Sequence, residues 1–159
     1  MTTDWLLPEL DELTRPFWDA CKRGQLQLQR CRTSGRLLHP PRWQSPWDPG
    51  NGEYGKLDWV TVCGRGTIWT KAVPHPPLLP PFSQFSPYNV IIVALEEDPR
   101  IRMIGNLVAR PQAPINSVAP TEIEIGSAVR VVFEKISDDF HFPRWVLDTR
   151  ENAEDSSHV

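Results

Sequence analysis

Seventeen of the 159 residues are proline, and their placement restricts the fold more than any other feature. They gather over residues 74–87 and again over 111–120. Proline lacks the backbone N–H and fixes φ, so neither stretch can be helical. Both are expected to be stiffened long loops.

Those elements read as strands. Residues 57–62 and 67–73 are rich in β-branched and aromatic side chains. Between them, Gly64-Arg65-Gly66 is either a turn or a bulge in one long bent strand. Residues 88–96 are almost continuously apolar, the pattern of a strand buried on both faces. After the Glu97-Asp98-Pro99 turn, residues 100–109 return with Ile101, Met103, Gly105 and Leu107 on one face. Residues 127–135 alternate, with Val129, Val131 and Phe133 sharing a side, and a short strand is expected over 144–148. About five strands, the first bent around glycines, suit a small Greek-key barrel of the OB type.

The N-terminal third is different. Leu10, Leu13, Phe17 and Cys21 make one apolar stripe, predicting a helix over residues 9–23. Thr14 before Arg15-Pro16 is an expected N-cap, so the firmer helix starts there, and Gly24 is the expected stop. Residues 25–31 alternate polar and apolar, turn at Ser34-Gly35 and return through Leu37-Leu38, giving a hairpin. The expected division is a helix and hairpin over 1–56, a barrel over 57–150 and a polar tail over 151–159.

The hairpin carries the spacing of two zinc knuckles, C-x-x-C and P-R-x-x-C-P-x-C, with one cysteine left. The four positions read Cys31, Ser34, Ser45 and Asp48. A structural zinc site needs four thiolate or imidazole ligands, and a serine hydroxyl does not ionise near neutral pH. The hairpin is therefore expected to be zinc-free, with no metal site in the chain. Trp43 and Trp47 are the expected replacement for the metal as packing. A mixed site from Cys31, His39 and Asp48 is the weaker alternative to an inert buried cysteine.

Composition excludes several classes. The formal net charge is −3, against a nucleic-acid-neutralising surface. The longest apolar run, residues 90–95, is far short of a membrane span. Residues 1–5 lack the basic and apolar regions of a signal peptide, and three scattered cysteines argue against a disulfide framework. The expectation is a cytoplasmic protein with free thiols.

The order of segments resembles the acyl-CoA-associated OB-fold family with an N-terminal rubredoxin-like zinc ribbon. The matching residues are Phe17-Trp18, Gly24, Leu26, Gln29-Arg30-Cys31 and Pro40-Pro41-Arg42. They continue with Gly64-Arg65-Gly66-Thr67-Ile68, Thr70, Pro87-Tyr88, Leu95-Glu96, Ile125-Gly126 and the run from Val129 to Glu134. The likeness runs from Phe17 to Trp145, and its departure is the loss of cysteines at 34, 45 and 48. It implies a non-catalytic accessory module that binds acyl-CoA, or helps a thiolase-like, aldolase-like or hydratase partner to bind it.

Candidate residues follow from that chemistry. Coenzyme A is polyanionic, so a site wants guanidinium or ammonium groups and free N–H donors. Arg65, between two glycines, is the first candidate, with a solvated turn arginine as the alternative. Arg42, Lys71 and Arg144 follow. The segment over residues 74–82 is apolar and stiff, suited to docking against ligand or partner, or to packing on its own barrel. No catalytic residue is assigned. Cys63 beside Arg65 is read as a core residue in preference to an activated thiolate, and the acidic runs 96–98 and 138–139 as solvated turns. Two other classes stay open: a single-stranded nucleic-acid binder stacking bases on Trp59, Trp69 and Tyr88, and a free-standing hydratase or thioesterase using His75 or His141. Self-association as a homodimer also stays open.

Overall fold

The computed structural model describes residues 4–47 and 56–149. Residues 1–3, 48–55 and 150–159, with Asp48 and the expected polar tail among them, lie outside the described residues. The elements run α1 (Arg15–Lys22), β1 (Leu26–Cys31), β2 (Leu37–Leu38), β3 (Leu57–Val62), β4 (Arg65–Ala72), β5 (Val90–Leu95), β6 (Arg102–Gly105), β7 (Ala128–Lys135) and β8 (His141–Leu147). The protein is mainly β, with short 3-10 turns at Phe82–Phe85 and Pro120–Glu122 inside the two proline-rich connections.

The helix is shorter than the apolar stripe predicts. Thr14 spends its hydroxyl and its N–H on the Asp11 carboxylate, both at 2.7 Å, and makes no side-chain cap. The end is as expected: Gly24 turns at φ +72°, and the N–H groups of Gly24 and Gln25 donate to the carbonyls of Cys21 and Ala20. Phe17, Ala20 and Cys21 are buried. Trp18 packs edge-on against Phe140 at 5.2 Å, seating the helix on the barrel beside β8.

Two sheets share the remaining chain. The first has order β2-β1-β3 and the second order β6-β5-β4-β7-β8, with antiparallel pairing throughout. β3 pairs along its whole length with β1, from Leu26↔Val62 to Cys31↔Leu57. The ribbon sheet therefore reaches across residue 57, and the bend at 63–64 carries the chain from one sheet into the other. Gly64 lies at φ +71°, and a Cβ there would meet Val131 Cγ1 at 2.5 Å, so the bend excludes a side chain. A bulge between Ile68 and Thr70 curls β4 further. The curled sheet closes where the segment after β6 lies parallel to β8: Val108 N–H donates to the Trp145 carbonyl at 2.8 Å, and Trp145 N–H to the Asn106 carbonyl at 3.0 Å.

The core runs through both sheets, from Phe17, Leu26 and Leu28 to Ile68, Ile91, Val93, Leu95, Met103 and Trp145. β5 is not buried evenly on both faces: Ile91, Val93 and Leu95 are buried, whereas Val90, Ile92 and Ala94 are half-buried. β8 is longer than expected because Phe142 and Pro143 pair with β7 despite the proline, which an edge strand tolerates. Among the described residues no helix is long and apolar enough to cross a membrane.

Candidate functional site

Three of the four knuckle positions, Cys31, Ser34 and Ser45, lie together, and two of them are hydroxyls. Cys31 is fully buried at the end of β1. Hydrogen bonds from the Ser34 and Ser45 hydroxyls, with the Ser34 N–H, hold its thiol down from 9.0 to about 7. Each serine oxygen in turn accepts the N–H two residues on, Arg36 for Ser34 at 3.3 Å and Trp47 for Ser45 at 3.2 Å. The knuckle turns are thus kept by hydroxyls. Among the described residues, no three His, Cys, Asp or Glu side chains gather where they could hold an ion.

Trp43 and Trp47 do not glue the hairpin, being 61% and 36% exposed. Gln29 does so instead. Its buried amide donates to the Arg42 carbonyl at 2.9 Å and accepts the Arg42 N–H at 2.8 Å.

The four candidate basic residues occupy different places. Arg65 lines a groove of about 660 Å³ and pairs with Glu96 at 3.1 Å. Asp148 adds a second carboxylate to that lining, so the groove is acidic on balance. Lys71 donates to the carbonyls of Pro120 (3.0 Å) and Ile123 (2.7 Å), holding the second proline-rich connection against β4. Arg144 is buried in β8, where its Nε meets Glu134 Oε2 at 2.8 Å and its Nη1 meets Asn106 Oδ1 at 2.7 Å. Both long side chains are occupied with architecture.

Arg42 stands apart. It lines a groove of about 360 Å³ between the ribbon and the β5–β6 turn, with Arg36, Arg100, Asp98, His39 and Trp47. The Arg36 guanidinium lies 4.3 Å over the Trp47 ring. Arg100 grips Asp98 through Nε at 2.9 Å and Nη2 at 2.8 Å. That grip, aided by Arg36, keeps the Asp98 carboxyl below its ordinary range. Arg36 and Arg100 were missed as candidates because they sit beside two ordinary-looking turns. Only the tertiary fold brings those turns together.

The remaining candidates resolve simply. Cys63 is exposed at the bend, not in the core, and partial burial with Glu97 alongside pushes its thiol up. Glu96, Asp98 and Asp138 pair with Arg65, Arg100 and Lys135, and Glu97 accepts the Cys63 N–H. Trp59 and Tyr88 pack into or against the core, leaving only Trp69 of the three proposed stacking rings open, beneath Arg102 at 3.5 Å. Among the described residues His75 and His141 make no hydrogen bond or ion pair with a carboxylate. The proline-rich segment is partly covered: Trp5 stacks on Phe85 at 5.5 Å and Phe82 packs on Tyr88, while Leu79 stays 68% exposed.

Comparison with known proteins agrees with this architecture. The family model for the ChsH2 C-terminal OB-fold domain matches residues 59–134. The alpha subunit of 3-oxo-4,17-pregnadiene-20-carboxyl-CoA hydratase from Mycobacterium tuberculosis is 31% identical over 88% of this chain and 38% of its own length. A probable enoyl-CoA hydratase alpha subunit from Thermomonospora curvata is 37% identical over 71% of the chain and 31% of its length. The chain thus spans about a third of those two relatives. A DUF35 domain-containing scaffold protein from Methanothermobacter thermautotrophicus is 29% identical over 82% of the chain and 87% of its length. A solved chain of an Ltp2-ChsH2(DUF35) aldolase superposes with TM-score 0.70 and 28% identity, over 89% of this chain and 98% of that one. Residues 59–134 thus match the ChsH2 C-terminal OB-fold domain family, and the fold of the chain is similar to that of a chain of the Ltp2-ChsH2(DUF35) aldolase, in line with the acyl-CoA-associated OB-fold family.

Proposed function

We propose that the chain is a non-catalytic accessory module that binds acyl-CoA, or assists its binding by an aldolase-like, hydratase or thiolase-like enzyme subunit. The observation that carries this reading is the superposition on nearly the whole of a chain from an aldolase named with its DUF35 component. A relative of similar length named as a scaffold supports it. The serine-for-cysteine ribbon is read as zinc-free, since its hydroxyls cannot supply thiolate charge. Free thiols, Cys63 exposed among them, suit a reducing cytoplasm.

Affinity purification of the chain from its source cells at native level tests the reading. A stoichiometric aldolase-, hydratase- or thiolase-like subunit in the eluate is the expected result. A chain that elutes with no enzyme would overturn the accessory role.

A further inference from the structure

We infer that the groove between the ribbon and the β5–β6 turn is a binding site for the phosphate end of a nucleotide-like ligand, with Arg36 and Arg42 as its anion contacts.

The charge balance selects this groove over the larger one. Among the described residues its lining carries Arg36, Arg42 and Arg100 against one carboxylate, Asp98. That carboxylate is consumed by Arg100 in a two-point ion pair and also accepts the Arg100 N–H at 3.1 Å. Among the described residues neither Arg36 nor Arg42 makes a side-chain hydrogen bond or an ion pair, and Arg36 adds only a longer-range attraction to Asp98. On a chain of net charge −3, two unpaired guanidinium groups in one concavity are a local reversal of sign. The groove beside Arg65 has the opposite balance, with Glu96 and Asp148 facing one guanidinium.

Arg36 is also prepared for its task. Its position over the Trp47 ring leaves the N–H edges of the planar guanidinium for a two-point oxygen acceptor such as phosphate. Trp47 is itself partly exposed, and Leu37, Pro46 and Ile101 complete an apolar wall for the organic part of a ligand. His39 adds a buried Nδ1 with no hydrogen-bond partner in the same lining. A second concavity that shares Arg36, Asp98 and Arg100 adds Arg30 and Glu97, so its balance stays cationic by one charge. A volume of about 360 Å³ admits part of a nucleotide and leaves the rest to extend outward.

The identification of that nucleotide as the adenylate end of coenzyme A rests on the function proposed above; the groove's chemistry stands without it. Calorimetric titration of the full chain at low salt tests both, with coenzyme A, ADP and inorganic phosphate as probes. The variants are R36Q/R42Q, R36K/R42K and R65Q, each checked for native circular dichroism. Coenzyme A and ADP are expected to bind the native chain, each more tightly than inorganic phosphate. Affinity should fall at least about tenfold in R36Q/R42Q, recover in part in R36K/R42K and stay unchanged in R65Q. Tighter binding of coenzyme A than of ADP points to the acyl-CoA source; equal binding points to free nucleotides, and both support the groove. Coenzyme A binding that survives R36Q/R42Q would overturn the groove while leaving the accessory role intact. Arginine-dependent binding by a chain that co-purifies with no enzyme would do the reverse. Failure of all three probes to bind, or preference for a single-stranded oligonucleotide over ADP, would overturn the inference.

Discussion

The Asn89 side chain holds Leu107 at both ends of its peptide groups. Its Nδ2 donates to the Leu107 carbonyl at 2.9 Å, and its Oδ1 accepts the Leu107 N–H at 2.8 Å. An amide side chain thereby does for one residue what a neighbouring strand does for a ladder. A third bond from Nδ2 reaches the Val118 carbonyl at 3.1 Å. Asn89 is wholly buried, so Asn89→Ala leaves Leu107 and Val118 backbone groups without partners or water. The expected loss is about 3 kcal/mol or more, read as a lowered urea midpoint with unchanged slope. A loss below about 1 kcal/mol would show that water replaces the amide.

The same network continues through Asn106, whose Nδ2 donates to the Asn89 carbonyl at 2.6 Å and whose Oδ1 accepts from Arg144. The Arg144–Glu134 pair is mostly buried, with side chains 9% and 18% exposed. Arg144→Ala strands a carboxylate and an amide oxygen in the interior, and about 3–5 kcal/mol of stability should go with it. Replacing both partners, as in R144M/E134L, should cost less than either single change. A double variant as unstable as the sum of the singles would refute this account.

The serine hydrogen bonds to Cys31 give a pH signature. The folded thiol ionises at about 7, below its ordinary 9.0. Between those values the folded chain binds fewer protons than the unfolded one, so stability rises with pH. The contribution is complete above pH 9 and disappears as pH falls through about 7. Cys21 acts oppositely only at higher pH, since burial pushes its thiol up to about 12. Thiolate absorbance should show one transition near 7 that moves back toward 9 in S34A/S45A. An unmoved transition would assign the low value to some other cause.

Restoring thiols at the ribbon should restore a metal. Ser34 and Ser45 already sit on the Cys31 sulfur, and the sequence spacing places the fourth ligand at Asp48. The S34C/S45C/D48C variant is expected to take up one zinc ion and to lose stability on chelation, whereas the native chain should respond to neither. Cobalt substitution, with its tetrahedral thiolate absorption, reads the outcome directly. Metal uptake by the native chain would show that the hydroxyl ribbon still coordinates.

Much of the fold is legible residue by residue. Alternation over 25–31 and 127–135 marks β1 and β7, the apolar run marks β5, and the bend at Gly64 is written in its glycines. Local pattern does not tell which sheet a strand joins. β3 reads as barrel until its pairing with β1 is seen, and Cys63 reads as core although the bend turns it outward. Basic residues are harder still. Lys71 and Arg144 look available in sequence, yet backbone carbonyls and Glu134 occupy them. Arg36 looks like a hairpin residue until the fold sets it beside Arg100. What a cation does depends on partners distant in the chain, and periodicity holds no record of them.

The strand that leaves the ribbon at Val62 and enters the barrel at Arg65 works as a splice. Cutting the chain ahead of it leaves β1 with only the two-residue β2 as a partner, and cutting behind it removes the central strand of the barrel. Ribbon and barrel are therefore not two exchangeable cassettes, and an enzyme gripping either one takes hold of the other with no slack between them.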